Sequence, residues 1–496
     1  MNINLIIALE EKFNYKFTEN GAIALCSTGS KVYDMFAFGG AYRNRSNEDC
    51  ILLFKNAFDE DADLAMKCLF YLRDIRGGQG ERRFFRVIYR WLAQTPGMYR
   101  AAAACNLVRI PEYGRWDDLF CLLDTPLEDA ALQLVKDQLT IDMSCEKNGI
   151  SLLAKWMPSE NTSSFETKRK ARRVREYLGI SAKEYRKMLS ILRRKINVLE
   201  NLMSNGRWDE IEFDKIPSKA GLKYRNAFAR RDMIARKYRE FITDENTSVN
   251  AAALYPYEVV EKVTKHFSYW DCDFEGNNTE RAAINKYWAN LPDYLNGTDC
   301  SMMCVIDTSA SMWGRPINVA ISLGLYTAER MTGPFAGKYI SFSRKPRLIK
   351  TEGIDFVDKV ERIYRTNLCE NTNLTAVFDL ILNTYLKYHV KKEDIPKTLV
   401  VISDMEIDHM SNWKSRTAVT EMDKVREKWA KYGLEVPRLV YWNVNARNNT
   451  ILDSGSNISY VSGCSPVIYK SVLTGKQGFE LMLDALLSER YKGICA

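Results

Sequence analysis

Ser301-Met302-Met303-Cys304-Val305-Ile306 runs straight into Asp307-Thr308-Ser309-Ala310-Ser311, and a glycine-containing turn and a helical pattern follow. The apolar run has the length and continuity of a strand buried on both faces, as parallel sheets require. A carboxylate followed by two hydroxyls at alternate positions lets one loop turn three oxygens inward, which suits a hard divalent cation such as magnesium. Another possibility is open on the residues alone: Asp307 caps a helix while both serines bond backbone groups.

Downstream of this stretch, helical and strand patterns alternate. Ile317 to Arg330 is predicted as a helix, Lys338 to Phe342 as a strand, and Asp355 to Ile363 and Leu374 to Leu386 as helices. Thr398 to Ile402 is again a short apolar strand, followed by a charged helix over Val419 to Lys431. Strands at Arg438 to Trp442 and Ile458 to Val461 and a helix at Gly478 to Leu487 complete the pattern. Such alternation predicts a doubly wound sheet with ligands gathered at the carboxyl ends of its strands.

Upstream, from about residue 47 to 270, apolar positions recur every three or four residues. Leu64, Cys68 and Leu72 form one such set, and Phe84, Phe85, Ile88 and Leu92 another. Breaks such as Arg76-Gly77-Gly78-Gln79-Gly80 separate them, so helical hairpins packed side by side are expected, as in a repeat array. Gly114-Arg115-Trp116-Asp117-Asp118 and Gly206-Arg207-Trp208-Asp209-Glu210 are similar phrases that mark related connections. A polar stretch and bridging helix over 271–298 divide the chain into a helical domain, 1–298, and an α/β domain, 299–496.

The composition is that of an ordinary globular protein, 46% hydrophobic and 27% charged, with a formal charge of +8. Twelve cysteines without a CxxC pair and three histidines argue against a zinc ribbon and for reduced thiols in a cytoplasmic protein. The opening MNINLIIALEEKFNYKF lacks a signal peptide's basic start, and no run reaches the roughly 20 apolar residues of a membrane span. Gly77, Gly78 and Gly80 have no following Lys-Ser or Lys-Thr, so they do not form a phosphate loop.

Basic residues concentrate before the α/β part. Residues 161–200 hold twelve Lys or Arg against four Glu. Lys168, Arg169, Lys170, Arg172, Arg173, Arg175, Arg193 and Arg194, with Arg225, Arg230, Arg231 and Arg236 further on, are candidates to track an RNA phosphate backbone. Tyr177, Tyr185, Tyr224 and Tyr238 interleave with the basic stretches and offer rings for stacking. The competing reading is a solvated helical surface with tyrosines packed in hairpins.

The loop Asp307-Thr308-Ser309-Ala310-Ser311 resembles the metal-ion-dependent adhesion site of von Willebrand factor A domains. That resemblance implies a distant Thr, matched by Thr372 in Asn371-Thr372-Asn373-Leu374, and a second acid, matched by Asp404 after Val400-Val401-Ile402-Ser403. Thr375 is a nearby rival for Thr372. The position before the Thr is Asn371, and Met405 and Glu406 follow Asp404, where the family commonly has Gly.

The whole layout is similar to the Ro autoantigen family with its TROVE module, and closer to an uncharacterised viral, bacterial and plant family of the same arrangement. Gly39 to Asn44, Leu72 to Gly80, and Arg207-Trp208 through Pro217-Ser218 to Asp232 carry that likeness, with Val461-Ser462-Gly463. It implies a ring of HEAT-like helices that binds structured or misfolded RNA without catalysis, beside a domain holding Mg2+ or another divalent cation. Arg73, Arg76 and Gln79 would then shape the ring's inner or rim surface, unless Arg73 pairs with Asp74 or a neighbouring helix. The expectation is a monomeric, cytoplasmic, non-enzymatic ribonucleoprotein component. The alternatives are a scaffold whose metal takes a partner's acidic residue, or a magnesium-dependent phosphoryl-transfer enzyme.

Overall fold

A computed structural model describes residues 14–146, 149–196, 198–268, 271–296, 301–366, 372–407, 421–453 and 455–496. The first thirteen residues, read above for a leader, Asn371, and residues 419 and 420 of the expected charged helix lie outside them.

The chain forms two compact units, and both are discontinuous. One combines Met1–Asp61 with Ala251–Ser488; the other combines Ala62–Asn250 with Glu489–Ala496. A cut at residue 298 divides the sequence, whereas packing assigns the described residues of 14–61 and 251–296 to the same unit as the sheet.

In the first unit, strands β1 (Tyr15–Phe17) and β2 (Ile23–Leu25) make a short antiparallel hairpin. The main sheet contains β3 (Met302–Asp307), β4 (Lys338–Phe342), β5 (Leu348–Lys350), β6 (Thr398–Ser403), β7 (Arg438–Asn443) and β8 (Ile458–Ser462). Their order is β5-β4-β3-β6-β7-β8, with only β5 antiparallel to its neighbour. Every residue of β3, β6 and β8 is buried, as expected for strands covered on both faces.

The register sets Ile306 opposite Ile402, so β3 and β6 end side by side. The chain leaves β3 toward β4 on one side and later returns to β6 on the other. This reversal makes the carboxyl ends of β3 and β6 the switch point where doubly wound sheets form their crevice.

Helices hold these strands in place through close contacts. Arg315–Arg330 lays a continuously buried stretch on β3, and a Cβ at Gly324 would lie 2.1 Å from Ile306 Cδ1. Lys31–Gly39, capped by Ser30, is almost wholly buried and meets β8 at its end. There a Cβ on Gly40 would stand 2.7 Å from the Ser462 carbonyl oxygen, so only glycine permits the approach.

The second unit is helical. Its longer elements are Ala62–Arg73, Arg82–Gln94, Met98–Cys105, Glu128–Ser144, Phe165–Leu178, Ala182–Lys195, Ser218–Arg230 and Asp232–Thr243. Ser181 and Glu184 form a reciprocal capping box at one start, and Gly179 ends the preceding helix with φ 67°. Phe70, Phe85, Tyr89 and Tyr113 pack edge to face or stacked in its core.

The glycine turn at 77–80 is structural. Arg73, 1% exposed, pairs with Asp118 at 2.6 Å, so its partner comes from a neighbouring helical turn; Asp74 instead pairs with Arg490. Gln79 is buried and donates to the Tyr71 hydroxyl, while Arg76 reaches the Glu112 carbonyl at 2.6 Å. Among the described residues, no helix is long and apolar enough to cross a membrane.

Candidate metal centre

Asp307 ends β3 and Asp404 directly follows β6, so adjacent parallel strands bring two carboxylates to one crevice. Both are fully buried. Asp307 Oδ1 accepts the Ser309 N–H at 2.8 Å, which turns the loop sharply after the strand, and Oδ2 accepts the Ser403 hydroxyl at 2.5 Å. The Ser309 and Ser311 hydroxyls lie 3.1 Å apart and remain half-buried, so they form the accessible edge.

Burial, followed by the negative charge of Asp404, pushes the Asp307 carboxyl up to about 7 against its hydrogen bonds from Ser403 and Ser309. Burial likewise raises Asp404, opposed by a hydrogen bond from the Ser311 hydroxyl and by the charge of Arg447. The second acid therefore meets the first loop through Ser311. Asp404 Oδ2 lies 3.2 Å from Arg447 Nη2 in an ion pair but accepts no well-directed hydrogen bond.

Thr372 is 2% exposed and donates to the Glu406 carbonyl at 3.2 Å, which attaches it to the loop after β6. Between Asp404 and Glu406, Met405 adopts φ 66°, a left-handed conformation that favours glycine. The position where sequence reasoning noted a missing Gly is thus one where the backbone conformation makes glycine the easier residue.

Several participants carried no sequence signal. Arg447 Nη2 bridges Asp404 to Glu19, 2.8 Å away in the turn between β1 and β2. Glu406 is buried and accepts from the Glu19 N–H at 2.6 Å and the Thr450 hydroxyl at 2.9 Å. Asn20 and Thr18 donate to the carbonyls of Glu406 and Ile407. The hairpin turn therefore sits on the loop carrying the second acid. Asp408, two residues beyond Glu406, lies outside the described residues.

The donor set is chemically suited to a divalent cation. Two desolvated carboxylates next to two hydroxyls offer the oxygen ligands that magnesium or calcium prefers, and burial, with the charge of Asp404 second, explains the upward shift of Asp307. Among the described residues no cluster of three His, Cys, Asp or Glu side chains is present. A cation bound here would therefore add hydroxyl, backbone carbonyl or water oxygens to the two carboxylates.

The twelve basic candidates lie in the helical unit, and most are engaged internally. Arg169 pairs with Asp124 and Glu166, Lys170 with Glu166, Arg172 with Glu176, Arg173 with Glu128, Arg175 with Glu160 and Arg236 with Glu240. Arg193 donates to the carbonyls of Ala154 and Met157 and to Ser159, whereas Arg225 is 6% exposed and donates to the Leu222 carbonyl. Arg231 lies 4.9 Å from the Trp208 ring centroid. Lys168, Arg194 and Arg230 are exposed. Of the interleaved tyrosines, Tyr185 and Tyr238 are buried, Tyr177 bonds Gln133 and Tyr224 bonds Glu200.

Residues 18–132 and 160–298, more than half of the chain, match a domain of unknown function, DUF2828. Residues 300–489 match a second domain of unknown function, DUF7788. An uncharacterized protein of Acanthamoeba polyphaga mimivirus is 30% identical over 507 residues, covering 94% of this chain and 85% of the viral one.

Proposed function

The chain belongs to the DUF2828 family, and from that premise we propose that its α/β unit is a von Willebrand factor A-like module for cation-dependent ligand binding without catalysis. Asp307, Ser309, Ser311, Thr372 and Asp404 would hold Mg2+ or a similar ion, the hydroxyls directly and the buried acids directly or through water. A bound cation supplies positive charge and an open coordination position for an oxygen ligand. The observation that carries this reading is the pair of buried carboxylates at the switch point, with Asp404 Oδ2 lacking a directed hydrogen bond.

Trp313, 47% exposed just beyond the serines, gives a partner protein an apolar contact next to the cation. A carboxylate from that partner fits the electrostatics of the open position. Magnesium at 100 times its Kd is expected to stabilise the protein by about 2.7 kcal/mol, and Asp307→Ala to abolish the effect. A wild-type melt indifferent to magnesium and manganese, or an unchanged response in the variant, would overturn this assignment.

A second reading, binding of structured or misfolded RNA by a HEAT-like helical array of the Ro type, is favoured by one observation. Lys168, Arg194 and Arg230 are exposed on the helical unit. Reversing all three to Glu is expected to weaken RNA binding and reduce its salt slope by roughly two to three. An unchanged slope with native folding would remove that surface from consideration.

A further inference from the structure

Cys105 and Cys495 are 390 residues apart in sequence, yet their sulfurs lie 3.7 Å from each other at an exposed edge of the helical unit. Cys105 closes the helix Met98–Cys105. Its neighbour Asn106 has no exposed surface and donates to the carbonyls of Ala102 at 2.8 Å and Cys495 at 2.6 Å. The Cys495 N–H returns a 3.4 Å bond to the Asn106 side-chain oxygen. One buried amide thus fixes the backbone of the second cysteine on both sides.

The segment around Cys495 is fixed independently. Lys67 donates to the Ile494 carbonyl at 2.9 Å, and Asp63 accepts the Ala496 N–H at 2.8 Å. Tyr491 stacks on Tyr113, and Arg490 pairs with Asp74. With both backbones held, a shift of less than about 2 Å brings the sulfurs to the ~2.05 Å of a covalent bond.

We propose that Cys105 and Cys495 form an oxidisable dithiol that a peroxide converts to a disulfide, locking Glu489–Ala496 to the helical unit. One thiolate attacks a peroxide oxygen, breaking the O–O bond and giving a sulfenic acid; the leaving hydroxide takes the thiol's proton as water. The second thiol attacks that sulfur, forming the S–S bond and expelling a second water. The peroxide is reduced and the two thiols are oxidised, with atoms and electrons balanced. Partial burial and the Cys495 sulfur push the Cys105 thiol up, so reaction quickens as pH rises.

The test treats the reduced full chain with hydrogen peroxide, followed by non-reducing peptide mapping. The expected product joins the peptides of Cys105 and Cys495, lighter by two hydrogens and restored by dithiothreitol, while exposed Cys26 remains unlinked. Amide exchange across Tyr491–Cys495 should slow at least tenfold in the oxidised form. Cys495→Ser should prevent the link and leave a sulfenic acid at Cys105 that dimedone traps. Recovery of the two peptides unlinked, linkage to other cysteines, or a bond formed only between separate molecules would overturn the proposal.

Discussion

Replacing Asp307 with Asn separates the cost of the acidic pair from its use. Between its ordinary value of 3.8 and the folded value of about 7, Asp307 keeps a proton in the native state that the unfolded chain releases. The folded state therefore binds more protons across that window, and metal-free stability falls as pH rises through it. About three pH units at 1.36 kcal/mol each make the full penalty about 4 kcal/mol, developed above the folded value. An Asn side chain can still accept from the Ser309 N–H and donate to the Ser403 oxygen without carrying charge.

Urea unfolding in chelator should find Asp307→Asn similar to wild type near pH 4 and more stable by up to about 4 kcal/mol near pH 8. Adding magnesium should reverse the order, because only wild type gains from the ion. A variant less stable than wild type by one constant amount at every pH would falsify the charge argument and make Asp307 an ordinary structural residue.

Further expectations concern single contacts. Gly40→Ala should cost at least about 2 kcal/mol in chemical denaturation, because the methyl group meets the Ser462 backbone rather than a movable side chain. Asp118→Asn breaks the pair with buried Arg73 and the 2.6 Å contact with Arg86, and a loss of about 3–5 kcal/mol is expected. Arg447→Gln removes a positive charge 3.2 Å from Asp404 and should tighten magnesium binding roughly tenfold by calorimetry.

The parallel strands were legible because each is a short apolar run covered on both faces, and β4 begins and ends where its sequence pattern does. The remaining predicted strands differ by about a residue at their ends, and the helix after the metal loop begins at Arg315 rather than Ile317. The β1–β2 hairpin was not legible: its strands have three residues each, too few for a pattern to stand out, and in β1 the aromatic Tyr15 and Phe17 are the exposed residues. Strand β5 is equally short and lies at the sheet edge. Lys31–Gly39 escaped notice because burial around nearly its whole surface removes the polar stripe that identifies a helix.

Local spacing in the metal loop could suggest Asp307, Ser309 and Ser311, but it could not reveal Arg447 or Glu19. Their proximity depends on tertiary pairing of the second acid's loop with the hairpin. A local count of the basic stretch is incomplete for a related reason. Arg169 and Arg173 each pair with an acid 45 residues earlier, Asp124 and Glu128, which a count of local charge does not include.

The Gly40–Ser462 contact joins residues 422 positions apart. At a synthesis rate of roughly 5–20 residues per second, the buried helix before Gly40 emerges some 20–80 s before its seat on β8 exists. During that interval Met35, Phe36 and Phe38 have no native sheet to cover them. Until β8 has been made, the apolar face of that helix must stay uncovered or be shielded by something other than its native seat.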